Sequence, residues 1–318
     1  MVYLEIIRQG VRVGNRNLAV LLTQFMAGLA IGFVLLVILF VFALMAQLSL
    51  PDIVVKDLSL DSIQTLFNMS VSLLAAGALF GAAFLVVVMV ITAFINSGNL
   101  SCVLSTARGV SHGFRADEFR NAGNRHVFNM LGLMLVWGAI ALGMTVVLGV
   151  FADAGLYRIL LPMKEGGHRL AAFTFYVPFM ATIALVNLFA NYAFVAGWSF
   201  SSIILVDEGS GVPSALRGAY RFIKANFWDS FLFIFLLLAM IFAVFILANL
   251  LAVIVLLPLN ISRDTSEAVV LGSLPIGLMN LLLIMYMGLV ATSSFAVYYV
   301  AHATPPTAEN STPAPSPS

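Results

Sequence analysis

Residues 230–257 read SFLFIFLLLAMIFAVFILANLLAVIVLL, with no charged side chain from Ser230 to Leu257. A helix crosses a hydrocarbon core about 30 Å thick with about 20 apolar residues, so this stretch alone is long enough to span a bilayer. Backbone amides and carbonyls in lipid must bond within their own segment, which makes a helix the form of such a run. A transmembrane β-barrel is excluded, because its strands alternate lumen-facing and lipid-facing residues over about 10 positions.

Outward from this stretch, five further runs fit the same reading. One lies between Arg16 and Asp52, centred on Ala30–Ala46, and another between Asp61 and Arg108, centred on Val71–Phe94. The others are Val127–Phe151, Leu170–Val206 and Ala268–Ala301. The polar stretch Asn96-Ser97-Gly98-Asn99 leaves only Leu100 to Ala107 beyond it, too short for another crossing, so that run counts once. The sequence therefore predicts an all-α integral membrane protein with six transmembrane helices in three hairpins. Most runs exceed the core thickness, which implies tilt or extension past the membrane.

Composition agrees: 62% of the residues are hydrophobic and 9% charged, a balance no soluble fold could cover. Fifteen basic and fourteen acidic residues leave a net charge of +1, which argues against nucleic acid as a partner. The lone Cys102 cannot form an internal disulfide or a thiolate metal site.

Lysine and arginine set the orientation. Arg8, Arg12 and Arg16, then Arg108, Arg115, Arg120 and Arg125, then Arg217, Arg221 and Lys224 flank one side of the spans. Lys56, Arg158, Lys164, Arg169 and Arg263 flank the other. The richer side is expected to be cytoplasmic, with both termini there, in the inner membrane of a bacterium. The first apolar run is too long for the core of a signal peptide and is expected to stay in the mature chain. Residues 302–318 are rich in proline, serine and threonine and read as a disordered tail.

Residues 1–301 form one transmembrane domain. Gly14-Asn15-Arg16 precedes the first span and Gly123-Asn124-Arg125 the third, and one offset relates Gly109 to Gly211, Arg115 to Arg217 and Asn124 to Asn226. Three diverged hairpin units, about 1–103, 104–205 and 206–301, account for this. So does the basic inner flank that any hairpin carries.

The connectors on the richer side project as amphipathic helices. In the first, Glu5, Arg8, Arg12 and Arg16 form one stripe, with Val2, Tyr3, Ile6, Ile7 and Val13 elsewhere, the pattern of an interfacial helix. In the third, Val212, Leu216, Tyr220, Ile223 and Phe227 share a face, with Arg217, Arg221 and Lys224 about 100° round from it. Membrane lipids, anionic ones on the cytoplasmic leaflet above all, are the expected partners, contacted through Arg8, Arg12, Arg16, Arg217, Arg221 and Lys224. A second membrane protein or another copy of the chain is the other partner class. The bland alternative gives these cations no role except topology.

No ionisable residue lies in the six cores, which counts against proton- or sodium-coupled transport and voltage sensing. Uncharged polar residues do recur there, among them Gln24, Asn68, Asn249, Tyr286 and Ser293-Ser294. Asn187, Asn191 and Asn280 either line a wet cavity, as a passive permease or lipid-moving carrier needs, or bond neighbouring helices. Gly28/Gly32, Gly77/Gly81 and Ala139/Gly143 carry the small-residue spacing of close helix approach. His112, Asp117, Glu118 and His126 share one connector, but their spacing matches no ligand pattern. Cys102 has no histidine beside it and reads as inert or as a palmitoylation candidate. No phosphate loop, nucleophile elbow or zinc-protease helix is present in the sequence, so the reading is non-catalytic, without cofactor or metal.

The connector from Gly211 to Trp228, GVPSALRGAYRFIKANFW, resembles the inner connector of a broad group of prokaryotic multi-pass membrane proteins. That group includes the six-helix membrane domain attached to some glycerophosphodiester phosphodiesterases. The resemblance covers this connector and the hairpin plan. It implies a helical membrane module linked to envelope or lipid maintenance. No phosphodiesterase domain follows Ala301 in this sequence, so that activity and its residues do not carry over.

Overall fold

The computed structural model describes residues 2–49, 71–164, 169–260 and 266–303. Lys56, Asn68, Arg263 and the tail beyond Ala303 lie outside the described residues. All described secondary structure is helical: α1 (Val2–Arg16), α2 (Ala19–Ser49), α3 (Val71–Ala107), α4 (Ala116–Lys164), α5 (Arg169–Glu208), α6 (Val212–Ala225), α7 (Phe227–Asn260) and α8 (Ser266–Ala303). Six of them, α2 to α5, α7 and α8, are long and apolar enough to cross a membrane. Helix α4 has 49 residues, about 74 Å at 1.5 Å per residue, so it outruns the bilayer as the long runs imply. Helix α8 continues to Ala303, two residues past the expected end of the domain.

The polar stretch Asn96–Asn99 lies inside one helix, in keeping with a run counted once. Helix α3 is continuous to Ala107, with Ser97 Oγ donating to the Ala93 carbonyl at 2.8 Å and Gly98 packed under the Phe119 ring. Polar side chains that bond their own helix four residues back relieve the backbone of any need to turn.

Buried side chains gather at one end of the bundle. The described part of α3 has none before Ala93, that of α5 none before Tyr192 and that of α8 none before Met287. Running the other way, among the residues whose burial is described, α2 has none after Val20, α4 none after Leu133 and α7 none after Leu237. The same end holds the basic connectors. Arg108 after α3 donates to Asp207 at the end of α5 at 2.7 Å, and Gly113 packs on the Arg16 carbonyl. We call it the basic end. Lipid tails are as apolar as leucine and give helices no hydrophobic reason to associate, so the outer halves can remain uncovered. Near the connectors, where water competes, packing does exclude solvent. Phe200, Phe233 and Tyr298 are fully buried there, with Phe233 and Tyr298 stacked 4.5 Å apart.

Helix α1 differs from the expected interfacial helix. Ile6, Ile7 and Val13 are buried in protein, and α1 lies along α8. The contact depends on Gly10, where a Cβ would stand 2.6 Å from the Ser294 Cα. Its outer side keeps Val2, Leu4 and the cations exposed. Four of the glycines expected to allow close helix approach make no such contact: a Cβ at Gly28, Gly32, Gly81 or Gly143 would meet nothing within 4 Å. Close approach uses glycines nearer the basic end, Gly10 and Gly123 in the connectors and Gly98 and Gly197 in the spans.

The three connectors are not built alike. Leading into α2 and into α7, a short helix (α1 or α6) precedes a break at Asn17-Leu18 or Asn226. Helix α4 instead runs unbroken from Ala116 through Gly123-Asn124-Arg125, with Gly123 tucked under Phe94.

Candidate functional site

At the basic end, Arg12, Arg16, Arg217, Arg221 and Lys224 are all exposed, and none has an ion-pair partner among the described residues. Arg8 is exposed too and stands 3.6 Å from Glu5 one turn earlier, a solvated pair worth little. Helix α6 holds its three cations outward by burying Ala215 and Ala219 on the opposite side, with Pro213 in its first turn. Helix α1 does the same by burying Ile6, Ile7, Gly10, Val13 and Gly14.

Beneath these cations a polar clasp ties the ends together. Asp207 accepts from Arg108 and, at 3.3 Å, from the Tyr299 hydroxyl of α8. Tyr3 donates to Asp229 Oδ1 at 2.6 Å, joining α1 to the start of α7, and this bond holds the Tyr3 phenol above its ordinary value of 10.0.

Further in, α2, α3, α4, α5 and α8 surround a chamber of 110 Å³. Gln24, Asn96, Asn99, Ser199, Ser202 and Thr292 bring polar groups to it. The Asn99 side chain is 4% exposed, and neither its nitrogen nor its oxygen has a protein partner. A buried amide without partners costs about 1–3 kcal/mol, which a polar occupant of the chamber would recover. The space exceeds the roughly 10–15 Å³ that one water needs.

The three amides read as lining a cavity or bonding neighbouring helices do not meet this chamber. Asn187 and Asn191 are exposed on α5, where Asn191 Nδ2 donates to Asn187 Oδ1 at 2.6 Å. Asn280 Nδ2 donates to Asn249 Oδ1 at 3.3 Å, a bond between α8 and α7. None of the three lines the chamber. The spacing of asparagines along α5 gave the pair a shared face, but not the side of the bundle that face would meet. Gln24 is among the recurring uncharged polar residues of the spans and does line the chamber. Asn96 and Asn99 carry a legible signal, since Asn96-Ser97-Gly98-Asn99 sets four polar or small residues inside an otherwise apolar helix.

The four connector groups with metal-ligand chemistry are dispersed. His112 is exposed, His126 is buried, and Glu118 accepts from Ser101 Oγ at 3.2 Å. Among the described residues no three histidine, cysteine or acidic side chains converge. Cys102 is buried, with Sγ donating to the Arg115 carbonyl at 3.6 Å, which removes the exposed thiol that palmitoylation requires.

No family model, curated protein or solved structure matches the chain.

Proposed function

We propose that this chain is a non-catalytic multi-pass module of the bacterial inner membrane, with both termini cytoplasmic, that gathers anionic lipid at its basic end. The observation that carries the reading is the set of outward cations on α1 and α6, Arg12, Arg16, Arg217, Arg221 and Lys224, without an ion-pair partner among the described residues. Each lysine or arginine near an anionic leaflet contributes about 1 kcal/mol, so five unpaired cations are a substantial anchor if spent on lipid. The three-hairpin repeat and the likeness of the α6 connector to the envelope proteins belong to the same proposal. The test is the phosphatidylglycerol retained by purified protein, read by native mass spectrometry. Glutamine at Arg8, Arg12, Arg16, Arg217 and Arg221 is expected to lower it while insertion stays intact, and unchanged retention rejects the reading. Reporter tags on both termini test the orientation.

A second reading, a passive permease or lipid-moving carrier, is favoured by the polar chamber, which sits where the packed end gives way to the uncovered outer halves. Cysteine at Ser202 or Thr292, with Cys102 changed to serine, is expected to react with a small hydrophilic thiol reagent. Absence of labelling in folded protein removes this reading.

A further inference from the structure

Beside α6 lies an apolar groove of 560 Å³, within the roughly 300–1,000 Å³ usual for ligand pockets. Its walls come from α4, α5, α6 and the first residue of α7. Trp137 forms its floor and is held there three ways. A Cβ on Gly197 would overlap the indole, so glycine is what lets the ring lie on α5. Trp137 Nε1 donates to Ser201 Oγ at 3.1 Å, and Phe194 meets the ring edge-on at 5.5 Å. Tyr192 presents only its ring, because its hydroxyl is engaged with Ser230 Oγ at 2.8 Å. Leu216 and Ile223 of α6 close one side, and Phe189 lies deeper. From Gly197 to Phe189 the groove follows α5 for about 12 Å at 1.5 Å per residue. Lys224 is the charged residue of the lining, beside Phe227 at the basic end, and Arg221 stands exposed on the preceding turn.

This lining selects its occupant. An extended polypeptide would bring backbone N–H and C=O groups against walls with almost nothing to bond them. An acyl chain needs no partner, and the surrounding bilayer supplies it. A zwitterionic headgroup would fill the slot but give Lys224 and Arg221 no net counter-charge.

We propose that the groove seats one phospholipid with an anionic headgroup, an acyl chain along Trp137 and the phosphate at Lys224. The proposal rests on the reading of the basic end as a lipid-facing surface and narrows it to a single seat.

Quenching of Trp137 by brominated lipid tests it, in full-length protein carrying Trp198→Phe and Trp228→Phe. Brominated phosphatidylglycerol is expected to quench at a several-fold lower mole fraction than brominated phosphatidylcholine. Lys224→Gln should cut that preference about fivefold, the effect of one cation at an anionic surface. Ala193→Phe, which fills the slot, should abolish it. Native mass spectrometry of protein with all three tryptophans gives a second readout that needs no tryptophan variant: one tightly retained phosphatidylglycerol, lost in Ala193→Phe. Equal quenching by the two lipids, or a preference untouched by Lys224→Gln, overturns the proposal. If the five-arginine variant loses lipid while Trp137 shows no preference, the seat fails and the lipid-facing reading stands. If neither changes, both fall.

Discussion

Two glycines that look alike in sequence are expected to respond oppositely to alanine. At Gly10 the added methyl would stand 2.6 Å from the Ser294 Cα and 2.8 Å from its Cβ. Both positions move only with the α8 backbone, so no rotamer change relieves them and α1 has to shift outward. Overpacking of this kind costs about 1–3 kcal/mol. Alanine returns up to about 1 kcal/mol of helix propensity, leaving a net loss of up to about 2 kcal/mol. Gly28 has nothing within 4 Å of its virtual Cβ, so there the propensity gain stands alone. At about 2–4 °C per kcal/mol, Gly10→Ala should melt up to about 8 °C below the parent and Gly28→Ala at or slightly above it. Heating purified protein in detergent, with the folded fraction read by size exclusion, measures both. Limited proteolysis should find α1 cut earlier in Gly10→Ala alone. If Gly10→Ala melts with the parent and α1 stays protected, the docking of α1 on α8 is wrong.

Tyr3→Phe removes the bond to Asp229, and its pH behaviour has a definite sign. The Tyr3 pKa is raised, so the docking it supports is full below pH 10 and declines as pH rises through the elevated value. Proteolysis of α1 should accelerate at alkaline pH in the parent more than in Tyr3→Phe; identical pH profiles would refute the assignment. At the clasp, Arg108→Ala should cost only about 1 kcal/mol, because the Arg108 side chain is 44% exposed. Asp207→Ala, which strips both Arg108 and Tyr299 of an acceptor, should lower the melting temperature further, and the reverse order would count against the clasp. Cys102 should resist maleimide in folded protein and react fully in denaturing detergent, and fast native labelling would contradict its burial.

The six helices long and apolar enough to cross a membrane were legible in the chain because the demand that fixes them is local: backbone polar groups in lipid must pair within their own segment, and charges must stay near the ends. The runs Ser230–Leu257 and Val127–Phe151 lie inside the helices α7 and α4. The candidate site was legible only in part. The cations of α1 and α6 were nameable from their stripes, and the structure places them outward, with only Arg8 ion-paired among the described residues. The chamber was not, because it needs Gln24 of α2, Asn99 of α3, Ser202 of α5 and Thr292 of α8 to face one point. A helical stripe defines a direction around its own axis and carries no record of its neighbour.

Length, charge placement and apolar continuity by themselves determined how many helices could cross and which ends carry the cations. Tertiary structure alone decided that the described buried side chains gather at the basic end, that α1 turns its apolar face to α8, and that Gly10 and Gly197 are contacts while Gly28 and Gly32 are not. Crossing a bilayer is a property each segment satisfies on its own. Association inside it has no hydrophobic drive and turns on the shape of the surfaces that meet, which exists only once the helices are side by side.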